Sequence, residues 1–389
     1  MRILLLNALY PTPMHPKVVG GAERSVRNLA EALVAHGHDV EVIRAAAPSG
    51  VLTREVVNGV VVYAAPSKNL YWPFDGKERS PWLKFLWHLI DDWGCAPPIV
   101  TERLREFKPD VMHTNTLTGL TTNVWSLAKR FNVRVVHTLR DYYLICPRSK
   151  YYKNGSNCDG PCKDCSLLTS RRRQKTRVPD AVVGNSLATL NLHTALGLFG
   201  GARIRTAIGS LEESGARPLP PRDRSGDSKL LFGYIGRVTE EKGVEQLAKA
   251  YGLLPQGSAG LVIAGEGDAG VQDRLMRLSG GREINFMGFV PPREFYEAVD
   301  IVVAPSLWHE PLPRSVIDAI SYARPVIGSN RGGTPEAMGE PPYGWIYDPS
   351  EEDGLLKALE ASLAGGLPVL ERKREDNLLS YLRVYSDEQ

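Results

Sequence analysis

The chain has 389 residues, 43% hydrophobic and 23% charged, a composition that gives room for two or three hydrophobic cores and excludes a disordered or fibrous chain. Its 47 basic and 44 acidic residues leave a net charge of +3, too mild for a nucleic-acid partner, while phosphate-bearing small molecules and an anionic membrane surface stay compatible. No stretch reaches the roughly 20 apolar residues of a membrane span, and the opening MRILLLNALYPTP reads as a strand rather than a signal peptide, so the expected location is the cytoplasm.

In chain order, residues 2–9 form a buried-strand pattern, and Gly20 and Gly21 then open a helix predicted over 22–36. Val26, Leu29, Ala30 and Leu33 recur at helical spacing, and Gly37 supplies the stop. Residues 39–44 return as a strand, completing a βαβ unit. Glycines at such a helix N-terminus offer backbone N–H groups and a positive dipole end to an anion, or simply make a flexible turn. Further strands are expected over 59–64, 110–114, 133–139 and 180–184, and alternating β and α of this length predicts a parallel sheet covered on both faces. Trp72, Trp82, Trp87 and Trp93 crowd one segment with Tyr71, Phe74 and Phe85. Within it, residues 81–93 read as an amphipathic helix that lies on a membrane, giving peripheral contact, or packs on its own domain. The basic run Arg171, Arg172, Arg173, Lys175 and Arg177 meets anionic lipid or is a solvated face.

Cys146, Cys158, Cys162 and Cys165 form C-x11-C-x3-C-x2-C in a turn-rich loop, residues 146–165. In a cytoplasmic protein this spacing suits a structural Zn²⁺ site, with thiols and disulfides as the alternatives. Residues 215–228, rich in Pro, Gly and charge, read as a linker between a first domain, 1–214, and a second, 229–370. A helical tail, 371–389, packs back on the first domain or caps the second.

The second domain repeats the alternation, with strands expected over 229–236, 260–264, 284–287, 300–304 and 325–328. The economical architecture is α/β, two doubly wound Rossmann-like domains facing each other across a cleft. After the first of these strands come Gly236 and Arg237, then Lys242 and Gly243. Arg237 and Lys242 either clamp a diphosphate or sit in an exposed turn with Lys242 paired to Glu240 or Glu241. A second glycine-acid turn, Gly265-Glu266-Gly267-Asp268, falls on the same strand-end rim, and Gly332-Gly333-Thr334 makes a third, with Thr334 as the expected helix N-cap. Between the strand at 300–304 and a helix beginning near Pro313 lies a loop with Trp308, His309 and Glu310. Open α/β sheets bind ligands at such a strand end, so Glu310 is expected on the substrate.

The stretches GGAERSVRNLAEALVAHGHDV, GYIGRVTEEKG, VIAGEGD, PSLWHEPLPRSVIDA and RPVIGSNRGGTPE together resemble a retaining GT-B glycosyltransferase of family four, the glycosyl transferases group 1. The resemblance implies transfer of a sugar from a nucleoside diphosphate to a hydroxyl of a glycan, a lipid-linked saccharide or a small molecule. It places Arg237, Lys242 and Gly236 on the donor diphosphate and Gly20 and Gly21 near phosphate and acceptor. The backbone N–H groups of Leu312, Arg314 and Ser315 face the distal phosphate, Pro313 having none to give. Glu310 matches the first acid of the Glu-x7-Glu motif, on the donor sugar. Asp318 stands where the second acid usually holds the ribose and is one methylene shorter, which lengthens that contact or leaves it to a bridging water. Gly265 and Glu266 fall beside the nucleoside. His137 matches a histidine near the reacting sugar, although a lone strand-end histidine is more often structural. Arg140 precedes Asp141 where many relatives have histidine; it binds an anionic acceptor or pairs with Asp141. The charges suggest catalysis without a metal cofactor, by electrostatic stabilisation of the leaving group. The rival readings are a nucleotide-sugar epimerase or hydrolase of the same fold, and a weakly catalytic sugar-nucleotide-binding protein.

Overall fold

The computed structural model describes residues 1–15, 20–212, 216–223, 229–365 and 376–387. The chain divides into two compact units. One comprises Met1–Tyr151, Asp159–Leu211 and the C-terminal helix Asn377–Ser386; the other comprises Tyr152–Cys158 and the described residues from Glu212 to 365.

Ten strands precede residue 212: β1 (Arg2–Asn7), β2 (Asp39–Ala46), β3 (Thr53–Val57), β4 (Val60–Pro66), β5 (Val111–Thr114), β6 (Arg134–Leu139), β7 (Tyr152–Lys153), β8 (Ser156–Asn157), β9 (Ala181–Gly184) and β10 (Ile204–Ala207). All but β7 and β8 join one sheet in the order β10-β9-β6-β5-β1-β2-β4-β3, parallel except where β3 pairs with β4. The unbroken apolar run of β1 follows from burial on both faces, with Ile3 to Leu6 fully covered. The helix Gly21–Ala35 buries Val26, Leu29, Ala30 and Leu33 on this sheet. Strand β3 was not among the sequence expectations. It is turned by Asn58-Gly59, both at positive φ, the pair that a two-residue hairpin demands.

The C-terminal helix packs on this first sheet. Tyr381, Val384 and Tyr385 join the core of Ile3, Leu5 and Val26, and the Tyr385 hydroxyl lies 2.7 Å from His113 Nδ1. Of the expected linker, residues 216–223 are described and carry no regular structure. Arg222 pairs with Asp300 at 2.8 Å, and the Leu219 N–H donates to the Tyr322 carbonyl. The rest of the linker, and residues 371–375 and 388–389 of the tail, lie outside the described residues.

The second unit holds β11 (Leu230–Ile235), β12 (Ala259–Ala264), β13 (Ile284–Gly288), β14 (Ile301–Ala304), β15 (Val326–Ser329) and β16 (Gly344–Tyr347). Their order is β13-β12-β11-β14-β15-β16, all parallel. Counted from its own first strand this is 3-2-1-4-5-6, the doubly wound order that reverses between the first and fourth strands. The reversal therefore falls between β11 and β14, where crossovers leave in opposite directions and open α/β sheets bind their ligands beyond the strand ends. One core cluster includes Phe232, Leu247, Ile263 and Leu359, and another includes Phe295, Val302, Val316 and Val326. Among the described residues no helix is long and apolar enough to cross a membrane.

Candidate active site

The loops that leave β11 and β14 are stitched together by backbone. From β11 the chain runs through Gly236 and Arg237 to a short turn, Glu240–Lys242, ending at Gly243. From β14 it runs through Pro305 to Pro313 before the helix Arg314–Ser321. The Leu307 N–H donates to the Glu241 carbonyl at 2.9 Å. Gly243 has φ 71 and sits so close that a Cβ there would lie 1.9 Å from the Pro305 carbonyl oxygen, so no side chain fits. The turn at Gly332-Gly333 closes the other side: the Gly333 N–H donates to the Glu310 carbonyl at 2.8 Å. Thr334 is the first residue of the helix that follows, Thr334–Met338, and Gly333 takes the N-cap position expected for Thr334.

This backbone brings Glu310 onto Lys242. Lys242 Nζ donates to Glu310 Oε1 at 2.5 Å, and Ser306 Oγ donates to Oε2 at 2.6 Å. The Lys242 and Glu310 side chains are only 16% and 12% exposed, so the pair is largely withdrawn from water. The ammonium also lies 5.6 Å from the centre of the Trp308 ring. The cation thus pairs with an acid on the neighbouring loop, not with Glu240 or Glu241 as the local alternative had it. An ammonium has three donors, so Lys242 can hold Glu310 and still bind an anion. Arg237 projects into solvent nearby, while its carbonyl accepts the Tyr234 hydroxyl at 2.5 Å. Burial, and secondarily Glu310, push the Tyr234 phenol well above its ordinary range and keep it a donor.

At the ends of β12 and β13, with Val238 of the loop after β11 on its wall, lies a cavity of about 500 Å³ also lined by Gly265, Glu266, Asp268, Phe286 and Gly288 among others. Gly265 (φ 134) lets the two strand ends approach, since a Cβ would lie 1.9 Å from the Gly236 carbonyl oxygen. Glu266 is exposed at the rim. Leu312 is half-buried just before the helix Arg314–Ser321, whose first turn carries the N–H groups of Arg314 and Ser315. The Arg314 side chain turns along that helix to Asp318, Nε to Oδ1 2.7 Å, with 7% and 3% of the two side chains exposed. Asp318 is therefore engaged in a buried ion pair one turn away, a partner that its shorter side chain reaches and that sequence reading did not supply.

In the first unit the order also reverses once, between β1 and β5. At those strand ends the Thr116 N–H donates to Asn7 Oδ1, Arg140 Nε donates to Asn115 Oδ1 at 2.7 Å, and Thr116 Oγ1 donates to Asp141 Oδ2 at 2.9 Å. Arg140 does not pair with Asp141; each takes a neighbour from the loop after β5. His137 lies inside β6, 3% exposed, between the rings of Trp125 and Phe199, with Nδ1 2.9 Å from Thr114 Oγ1. Burial pushes its pKa down to about 3, so it is neutral. The residue that β6 delivers past its carboxyl end is Arg140. Gly20 caps the helix Gly21–Ala35, and its N–H donates to Glu23 Oε2 at 3.1 Å, so the helix's own carboxylate sits at the N-terminus read as an anion site at Gly20 and Gly21.

None of the cysteines is in a disulfide. Cys162 and Cys165 have sulfurs 3.5 Å apart, and burial, with Cys162 and Cys146 adding to it, pushes the Cys165 thiol up to about 12. Among the described residues no group of three or more His, Cys, Asp or Glu side chains is placed to hold a metal ion, so the four-cysteine Zn²⁺ expectation finds no support in the arrangement.

Sequence and fold comparisons place the chain in a family. The family of glycosyl transferases group 1 matches residues 219–376, and Glycosyltransferase Family 4 matches residues 19–197. A Klebsiella pneumoniae protein, described as an uncharacterized 42.6 kDa protein in the cps region, is 35% identical over 86% of this chain and 87% of its own length. The chain belongs to glycosyltransferase family 4. Its GT-B fold has solved counterparts. The sucrose-phosphate synthase from Thermosynechococcus elongatus superposes with a TM-score of 0.69 at 19% identity, covering 93% of this chain and 90% of that one. Anabaena Alr3699/HepE, solved with UDP, gives 0.63 at 18%, covering 94% and 90%. Family membership makes the protein a sugar transferase. Ser306, which donates to Glu310, and Asn157, which bonds the backbone on either side of Trp308, were not found from sequence.

Proposed function

We propose that this glycosyltransferase moves a sugar from a nucleoside-diphosphate sugar to an acceptor hydroxyl, with retention of anomeric configuration as the family resemblance implies. The observation that carries the reading is the Lys242–Glu310 pair at the reversal point of the second sheet, flanked by a nucleoside-sized cavity and a helix N-terminus. The base and ribose occupy the cavity at Gly265 and Glu266. The diphosphate lies over Gly236, held by Lys242, Arg237 and the N–H groups at Leu312, Arg314 and Ser315. Glu310, held by two donors, orients the sugar rather than acting as a loose base. As the glycosidic bond breaks, negative charge develops on the diphosphate, and these cations and dipoles stabilise it without a bridging metal. HepE solved with UDP and the starch synthase IV catalytic domain of Arabidopsis thaliana solved with ADP support a nucleoside-diphosphate donor without selecting its base. On the acceptor side we assign Arg140 and Asp141, and we assign His137 to the packing of β6.

The helix Pro81–Trp93 supports a lipid-linked acceptor met at a cytoplasmic membrane face. Its charges point inward: Asp92 pairs with Arg172 at 2.6 Å, Asp91 accepts the Tyr143 hydroxyl, and the Arg172 side chain is fully buried. Two of its tryptophans point outward, Trp82 and Trp93 at 67% and 66% exposed with Arg171 4.7 Å from the Trp93 ring centre, while Trp87 is buried and donates to the Tyr71 carbonyl. Exposed tryptophans bordered by arginine suit a headgroup layer.

Calorimetric titration with UDP, GDP and ADP and their sugar conjugates tests the donor site. One nucleotide should bind, Arg237→Ala should weaken it about tenfold, and product should form only with acceptor present and survive a chelator. No binding at millimolar concentration, or conversion of the donor without an acceptor, would end this reading in favour of a weak binder or an epimerase.

A further inference from the structure

The cysteine-rich segment contains a hairpin that belongs to the donor-site unit. Strands β7 and β8 pair Tyr152 with Asn157 and Lys153 with Ser156, and Asn154-Gly155, with φ 52 and 75, make the tight turn. Residues Tyr152–Cys158 group with the second unit, although the sequence on either side groups with the first. The reason is visible in two places. A Cβ on Gly155 would lie 3.4 Å from Glu240 Oε1, which puts the hairpin tip against the turn that ends in Lys242. At the other end of β8, the Asn157 carboxamide spans Trp308: Nδ2 donates to the Leu307 carbonyl at 2.8 Å, and Oδ1 accepts the His309 N–H at 2.7 Å.

We infer that Asn157 is a positioning residue for Glu310, resting on the donor-site function proposed above. A carboxamide has one face that donates and one that accepts, so it can stand in for a neighbouring strand's peptide group. Here it does so on one side of residues 307–309, while the Glu241 carbonyl takes the Leu307 N–H from the other. The Glu310 N–H closes on the Trp308 carbonyl at 2.8 Å and its carbonyl accepts from Gly333. Asn157 thereby supplies the outer wall of a loop whose inner side holds the Lys242–Glu310 pair. A side chain from a small insertion, 152 residues before His309, completes a site otherwise built by the second sheet alone.

The test compares Asn157→Ala and Asn157→Asp with the native chain. Asn157→Asp keeps the acceptor for His309 and turns an oxygen toward the Leu307 carbonyl, so it probes the same contact if Asn157→Ala does not fold. Hydrogen exchange of residues 306–310 should quicken about tenfold in either variant, with exchange in the helix Gly21–Ala35 unchanged. Turnover with a donor that the native protein uses should fall about tenfold, while affinity for the matching nucleoside diphosphate stays within twofold. Unchanged exchange at 306–310 would overturn the inference whether or not the native protein transfers sugar. Faster exchange with full turnover would overturn it too, and so would a loss of turnover matched by an equal loss of nucleotide affinity. Absence of any transfer by the native protein would instead refute the proposed function, leaving the exchange result to judge Asn157.

Discussion

Replacing Lys242 with methionine keeps the length of the side chain and removes its charge, leaving the Glu310 carboxylate 12% exposed with Ser306 as its remaining partner in the pair described above. Stripping one member from a buried ion pair costs about 3 kcal/mol, because the other charge stays desolvated. Glu310→Gln keeps the shape and an acceptor for the ammonium, so about 2 kcal/mol is expected. In the double variant Lys242→Met/Glu310→Gln no buried charge is stranded and the loss should again be about 3 kcal/mol, a coupling of about 2 kcal/mol between the two sites. Urea unfolding without donor measures all four stabilities. Turnover should fall about 100-fold in each single variant, equivalent to about 2.7 kcal/mol of transition-state stabilisation. Additive stabilities, within about 0.5 kcal/mol, would show that the two groups do not depend on each other, and the account of the site would fail.

The remaining predictions concern the first unit. The native protein should sediment with vesicles of phosphatidylcholine and phosphatidylglycerol and less with phosphatidylcholine alone; Trp82→Ala/Trp93→Ala should abolish this, and equal binding of native and variant would refute the outward-facing helix. Acid should destabilise the unit. Burial holds His88 and His137 at about 3, His193 at about 4 and His113 well below its ordinary value, so below pH 6.5 the unfolded chain binds protons that the native form refuses. Their contribution is present above pH 6.5 and is lost toward pH 4, at about 1.4 kcal/mol per pH unit for each imidazole. Asp91 and Asp92, raised to about 6 by burial, and Asp141, also raised, act in the opposite sense and blunt the slope below pH 6. Urea midpoints measured from pH 7 to pH 4 should therefore drop most steeply just below 6.5; a flat profile there would refute neutral burial of these histidines.

The alternation of strand and helix was legible because parallel strands buried on both faces leave unbroken apolar runs, as at β1 and β14. Short edge elements left weaker traces. Strand β3 is half-exposed and was missed although its Asn58-Gly59 turn is written in the sequence, and β16 is four residues long. In the site, glycine turns and Glu310 were readable because strand ends and turns have local signatures. What Glu310, Asp318 and Arg140 touch was not. Lys242 and Glu310 are 68 positions apart, and only the sheet order brings their loops together. His137 lies two residues before the end that the expected strand, 133–139, shares with β6, and its burial between Trp125 and Phe199 has no local signature in the sequence.

The contrast between Lys242 and Arg237 bears on how the donor is held. A cation that meets a diphosphate must give up water, and Lys242 has already done so, compensated by Glu310 and Ser306 before any ligand arrives. The cost of desolvating it was met on folding, and its position is fixed by loops that glycine alone allows to approach. Arg237 is exposed and hydrated, so its binding must pay for ordering a long side chain. The two cations therefore should not be interchangeable. Under the proposed function, Arg237 would contribute mainly to capture of the donor, whereas Lys242, held in its pair with Glu310, would contribute where charge develops as the bond breaks. On this reasoning Arg237→Ala raises the donor KM more than it lowers kcat, and Lys242→Met does the reverse.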